Sequence, residues 1–266
     1  LAPLLIRVST MSKKNKAQAR RARVIIESPL EDVLFRLGFG TRHECRGLSI
    51  GGAVRQDGQL LTDPDQLLPT DGLVLNIEGI DWPVREHALL MLHKPAGFEC
   101  SQKPSAWPSV LSLLPGPLRR RGVQPIGRLD QDTTGVLLMT DDGALIHRLT
   151  HPRKHVDKVY EVQCNREITP QQIEQLLAGV VLNDDPVPVR ARACEAVSDT
   201  HLRLTLTEGK YHQVKRMVAA VGNHVDSLHR SAFGPVTIAA DCAPGQWRWL
   251  SPEVFDAPAS EPPSAA

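Results

Sequence analysis

The sequence predicts an α+β fold in two unequal parts, on three observations. Over residues 88–251, strand-like and helix-like segments alternate without the regular rhythm of a doubly wound sheet. Residues 29–78 read as a separate small module, two short helices followed by a hairpin. A chain of 266 residues with 41% apolar content has enough material for one large domain or two unequal ones.

The elements follow in order. Residues 1–28 hold seven basic residues against the single acid Glu27, a surplus of six. Because the whole chain carries +1, the remainder carries five net negative charges. Such an arm attracts a polyanion or is a solvated tail, and its lack of hydrophobic periodicity predicts disorder. Met11, just before Ser12-Lys13-Lys14, is a candidate natural start, with Leu1 the alternative. In 29–78, Pro29 is expected to open a helix through Leu37 that Gly38 ends. Thr41 caps a second helix, Asp57-Gly58 turns a hairpin, and 73–77 is a further strand. Residues 79–87 read as a linker. Beyond it, 88–92 and 136–139 are apolar strands, Gln171–Val180 and His212–Val221 have helical spacing, and 201–206 alternates as a strand. From Pro252 to Ala266, Pro, Ala, Ser and Glu predict a disordered tail.

Composition excludes several classes. No apolar run approaches the ~20 residues that span a bilayer. Five scattered cysteines without a CxxC pair indicate neither a zinc site nor a disulfide framework, and a reducing cytoplasmic compartment is expected. His147, His151 and His155 are four residues apart, but Pro152 breaks the helix that would align them on a metal. With Arg148, Arg153 and Lys154 among them, they read instead as a phosphate-facing, RNA-binding surface, as does Arg119-Arg120-Arg121 unless it is an exposed loop.

The chemistry concentrates in Gly127-Arg128-Leu129-Asp130-Gln131-Asp132-Thr133-Thr134-Gly135. The apolar strand behind this string anchors Asp130 on a loop beside a cation, where a carboxylate stays ionised and can act as a nucleophile. Taken alone, an Asp in such a loop is more often a turn-capping residue, and it is the full nine-residue string that favours the chemical reading. An acid/base pair of Asp130 with Asp132 or Asp141 for glycoside hydrolysis is the other chemical option, but no aromatic sugar platform is grouped nearby.

Four strings together resemble the pseudouridine synthases of the RsuA type. They are the 127–135 string, His93-Lys94-Pro95-Ala96-Gly97, Asp157-Lys158-Val159-Tyr160, and Glu208-Gly209-Lys210-Tyr211-His212-Gln213-Val214-Lys215-Arg216-Met217. Leu228-His229-Arg230 adds to the resemblance, which spans about 29–251. It implies an S4-like RNA-binding module at 29–78, with Arg42, His43 and Arg46 facing RNA. A mixed, mostly antiparallel-sheet catalytic domain at 88–251 would follow. The implied reaction turns a uridine of ribosomal RNA into pseudouridine without cofactor or metal. Asp130 would break the glycosidic bond, Tyr160 stack on the flipped uracil, and Lys215 hold Asp130 ionised. Arg128, Thr133, Lys158 and Arg216 would bind substrate, and 93–97 would brace the site floor as a turn. The implied target is uridine 516 of 16S rRNA, free or in a small-subunit assembly intermediate, acted on by a monomer. A large-subunit (23S) synthase and a non-catalytic rRNA-binding assembly factor are the alternatives.

Overall fold

The computed structural model describes residues 27–151, 154–183 and 185–256. It forms two units. One runs to Glu86 and also takes in Gly116–Gly122; the other contains His87–Pro115 and the chain from Val123 onward.

In the first unit, strand β1 (Glu27–Pro29) leads into helix α1 (Leu30–Leu37), so Glu27 and Ser28 belong to a strand rather than to the arm. Pro29 caps α1 instead of starting it. Glu31 and Asp32 in the first turn and Arg36 in the last complement the helix dipole, while Leu30, Val33, Leu34 and Leu37 form the buried stripe. Gly38 ends the helix at φ 89°, and a Cβ there would sit 2.3 Å from the Pro117 carbonyl oxygen. Thr41 and Glu44 form a capping box on α2 (Arg42–Ile50). Strands β2 (Val54–Gln56) and β3 (Gln59–Leu60) make the expected hairpin, with Asp57 and Gly58 at φ 48° and 82°. Strand β4 (Leu67–Pro69) pairs with β1, and β5 (Val74–Ile77) lies between β2 and β6 (Ile80–Pro83).

Two expectations change here. The segment 79–87 is not simply a linker, because β6 buries Trp82, which meets Phe39 edge-on at 4.8 Å. Its turn, Glu78-Gly79, lacks the Asn or Asp that signals a tight hairpin, although Glu78 adopts φ 52°. Helix α3 (Gly116–Arg120) lies inside the expected catalytic segment, yet it belongs to the first unit and buries Leu118.

The second unit is built on a nine-stranded sheet. Strand β7 (Leu89–Lys94), the short β8 (Gln124–Pro125) and β9 (Thr134–Thr140) come first. Helix α4 (Gly143–Thr150) follows, its first turn capped by the Asp142 carboxylate, which accepts from Ala144 and Leu145 N–H. Then come β10 (Lys158–Cys164), α5 (Pro170–Ala178) and a separate hairpin of β11 (Val180–Leu182) and β12 (Asp185–Val189). Strands β13 (Ala193–Ala196) and β14 (His201–Leu206), helix α6 (Gln213–Ala220), and strands β15 (Val225–Phe233), β16 (Val236–Thr237) and β17 (Trp247–Trp249) complete it.

The main path of the sheet runs β13-β14-β10-β15-β9-β7-β17, and only β15 with β9 is parallel. The fold is thus α+β with a mostly antiparallel sheet, as the sequence predicted. Val136–Met139 of β9 are fully buried at its centre. A core of Leu89, Met91, Val136, Leu138, Leu145 and Phe233 fills one face. Residues 252–255 contradict the expected tail: they form a 3-10 turn, and Val254 and Phe255 pack onto this core. The apolar pair gives this stretch a surface to bury, which its Pro and Ser content concealed.

Candidate active site

The loop 127–133 enters β9, and the turn after β7 holds it rigidly. Lys94 is fully buried and donates from Nζ to the carbonyls of Gln131 (3.2 Å), Thr133 (2.8 Å) and Pro95 (3.0 Å). Burial pushes its pKa down, against the pull of Cys100, Asp132 and Asp130. Gly97 N–H donates to the Gln131 carbonyl at 2.8 Å, and Thr133 N–H to the Asp130 carbonyl at 3.1 Å. Leu129, 7% exposed, anchors the loop in the interior. The 93–97 turn therefore braces the site, through Lys94 above all.

Asp130 stands on the wall of a cavity of about 350 Å3, at the small end of the range for ligand sites and suited to one nucleoside. Arg128, Thr133, Lys158 and Tyr160 line the same cavity. Tyr160 is 7% exposed and comes from β10, while Tyr211 is exposed at the rim and stacks on His212 at 3.8 Å. Lys158 is less open to a substrate than expected. Its Nζ donates to the carbonyls of Val156 (2.9 Å) and Thr207 (3.4 Å), 5.1 Å from the Phe233 ring centre. Burial, and then the Arg230 charge, lower its pKa to about 8.

Helix α6 supplies the cations around Asp130. His212, its N-cap, takes φ 47°, a left-handed backbone uncommon outside glycine, and places Nε2 3.4 Å from Asp130 Oδ1. Lys215 Nζ lies 3.5 Å from Asp130 Oδ2 but 2.7 and 2.8 Å from the two oxygens of Asp132. The expected Lys215 partner of Asp130 is thus shared, with its hydrogen bonds going to Asp132. Burial is the largest influence on Asp132 and opposes its ionisation, but the Lys215 hydrogen bond and charge, with a backbone N–H and the His212 charge, together hold the carboxyl below its ordinary value. Arg216 turns away, as a neighbour on a helix should, and donates to the Tyr211 carbonyl at 3.0 Å. It does not line the cavity.

The expected RNA-facing residues fare unevenly. Arg42 pairs with Asp32, and Arg46 with Glu31 (2.8 Å) and Asp65 (2.9 Å), so their charge is largely answered within the first unit. His43 is exposed. Arg148 lies 3.4 Å from Asp256, Lys154 is exposed, and Arg153 falls outside the described residues. The His147 and His151 rings meet edge to face at 5.2 Å, and among the described residues no cluster of His, Cys, Asp and Glu can hold a metal. No described helix is long and apolar enough to cross a membrane, and all five cysteines are free. Sequence reasoning assigned no role to His212, Tyr211 or Arg230 in this cavity. Each lies in a string quoted for resemblance, but only the three-dimensional arrangement turns them toward Asp130 and Tyr160.

The mostly antiparallel sheet carries a cavity that sets the Asp130 carboxylate near Lys215 and His212, and comparison with known proteins specifies the family. Residues 88–220 match the family model described as RNA pseudouridylate synthase. The chain is 40% identical over 206 residues to ribosomal small subunit pseudouridine synthase A of Escherichia coli (strain K12), covering 76% of this chain and 87% of that protein. It is 38% identical to the uncharacterized RNA pseudouridine synthase YtzG of Bacillus subtilis (strain 168), covering 84% and 95%. A crystal structure of pseudouridylate synthase superposes with a TM-score of 0.61 and 30% identity, over 85% of this chain and 98% of that one. The chain belongs to the RNA pseudouridylate synthase family, on the RsuA branch, and is an RNA pseudouridine synthase.

Proposed function

We propose that this enzyme makes pseudouridine in small-subunit ribosomal RNA, at uridine 516 of 16S rRNA, working in the cytoplasm as a monomer on free RNA or an assembly intermediate. The observation that carries this reading is Asp130, fixed on the wall of a nucleoside-sized cavity and flanked by Lys215 and His212. The relatives named for the small ribosomal subunit support the substrate. The target uridine flips out of its stack, and stacking on an aromatic side chain, ~1–3 kcal/mol, offsets much of that cost. Tyr160 is the aromatic, and its burial keeps it fixed in the wall. Asp130 attacks C1′ or takes the 2′ proton. The uracil then detaches, turns and rejoins through C5. Arg128, exposed at the cavity, meets the backbone phosphate.

The first unit is an S4-like RNA-binding module in this proposal, one that contributes shape more than charge. Residues 29–78 hold eight acids against four Lys and Arg, and Arg42 and Arg46 are already paired. The test is carbodiimide-based sequencing of rRNA from a strain lacking the gene, complemented by wild type or by Asp130→Asn. Wild type should restore one stop in 16S rRNA. Asp130→Asn should fold and bind RNA but restore none, and Tyr160→Ala should restore little. A restored stop in 23S rRNA would move the enzyme to the large-subunit reading, and none at all would refute both.

A further inference from the structure

Arg230 is a buried cation without an acid. It sits on β15 opposite Tyr160 of β10, lines the same cavity and is 2% exposed. Its Nε donates to the Val136 carbonyl at 2.8 Å, and its guanidinium lies over the Phe233 ring at 5.2 Å. Its Nη2 is closed off from solvent and has no hydrogen-bond partner, and Arg230 forms no ion pair among the described residues. Lys158 is a second cation on the same ring, opposite Phe233 across the β10–β15 pair. Thr133 Oγ1, in the same cavity wall, is also buried and unpartnered.

A buried and a part-buried cation against one ring repel each other, and an unsatisfied guanidinium is expensive to bury. Burial and Arg230 together hold the Lys158 pKa near 8, which expresses the same tension. An anion or strong acceptor arriving in the cavity would relieve it. We infer that the Arg230 guanidinium, with Lys158 beside it, receives the carbonyl oxygens of the flipped uracil and stabilises the negative charge that builds on them as the glycosidic bond breaks. The inference rests on the pseudouridine synthase reading above and adds the group that serves its leaving base. A backbone phosphate is the less fitting occupant, because it stays at the solvent edge, where exposed Arg128 stands.

The electron count is simple. When N1–C1′ breaks, its electron pair leaves with the ring and spreads over N1, O2 and O4. C1′ gains a bond to an Asp130 oxygen, or a double bond to C2′ when Asp130 has taken the 2′ proton. After the ring turns, C5 bonds to C1′, and Asp130 is displaced or returns its proton. The C5 proton leaves, N1 takes one up, and the product is an isomer of the starting uridine. Arg230 donates hydrogen bonds throughout and exchanges no proton.

A better leaving group needs this help less. 5-Fluorouracil is a more acidic base than uracil, so it reports on leaving-group stabilisation where a purely structural role would not. Single-turnover rates are measured with 16S rRNA fragments carrying uridine or 5-fluorouridine at the target, following loss of the starting nucleoside by chromatographic separation of nuclease digests. Arg230→Met should bind RNA as wild type does, lose ~100-fold in rate on uridine, the usual loss for one oxyanion-type donor, and lose distinctly less on 5-fluorouridine. Arg230→Lys, which keeps the cation but not the fork, should show the same change in rate ratio at smaller size, and it carries the test if Arg230→Met does not fold. Equal losses on both substrates would overturn the inference in favour of packing. Weakened RNA binding with an unchanged rate would overturn it in favour of a phosphate contact. Wild type that leaves uridine unconverted would refute the parent reading, and a failure of that kind is distinct from the other two.

Discussion

At the scale of single residues, the site sets cations of different character around one carboxylate. Lys215 and His212 stand near Asp130 at 3.5 and 3.4 Å and are partly open to water, whereas Lys158 is part-buried and bonded to two backbone carbonyls. That difference is measurable in the pH profile. The folded pKa of Lys158 is about 8, below its ordinary value of 10.5, because burial and Arg230 disfavour the charged form. The cation is present below pH 8 and is lost above it. If the cation serves catalysis, kcat/KM falls as pH rises through about 8, and Lys158→Arg removes that fall because arginine stays charged. Stability moves in the opposite direction. Between pH 8 and 10.5 the unfolded chain holds a proton that the native state has released, so wild type gains stability relative to Lys158→Met across that window. Paired rate profiles and urea melts read both effects; a rate that stays flat to pH 9.5 would exclude a catalytic role for this cation.

At the scale of elements, the decisive contact is the short parallel pairing of β9 with β15. It sets Gly135 beside Arg230, and the loop bearing Asp130 ends where it begins. Gly135 has φ 113°, and an added Cβ would lie 2.2 Å from the Arg230 carbonyl oxygen and 2.7 Å from its nitrogen. Backbone on both sides leaves nothing flexible to yield. Gly135→Ala should therefore lose roughly 2–5 kcal/mol in urea denaturation, from positive-φ strain plus overpacking, along with most of the activity. Gly143→Ala, at the start of α4 with nothing within 4 Å of its Cβ, is the control and should stay within about 0.5 kcal/mol. A Gly135→Ala variant as stable as the control would show that β9 and β15 can separate without loss. The motif's last glycine is legible in sequence as a requirement, but its cause, a strand 95 residues away in the chain, is not.

At the scale of the whole molecule, charge is divided unevenly. The first 28 residues carry a surplus of six positive charges and the rest five net negative, and the ion pairs of Arg42 and Arg46 leave residues 29–78 little free positive charge. The expectation is that long-range attraction to RNA comes mainly from the basic arm. Deleting residues 1–26 should weaken rRNA binding and flatten its salt dependence, with single-turnover rates at saturating enzyme nearly unchanged. Binding isotherms at several salt concentrations decide the matter; an unchanged slope would assign the attraction to local patches such as Arg119–Arg121.

The sequence by itself determined the fold class, the helices with clear caps, the loop carrying Asp130, and the family. These are local properties: periodicity, a capping box at Thr41 and Glu44, an Asp-Gly turn, and contiguous strings with unusual composition. Tertiary structure decided what depends on distant partners. It drew Trp82 and Phe255 into cores, from segments whose turn and proline signals pointed to linker and tail. It placed α3 with the first unit, since burial of Leu118 depends on a surface remote in sequence. It gave the Lys215 hydrogen bonds to Asp132, because the path of α6 after the left-handed His212 sets the reach of the ammonium group. It also brought Arg230 opposite Tyr160, a neighbour that strand register alone creates, since residues seventy apart in the chain meet only when the sheet forms.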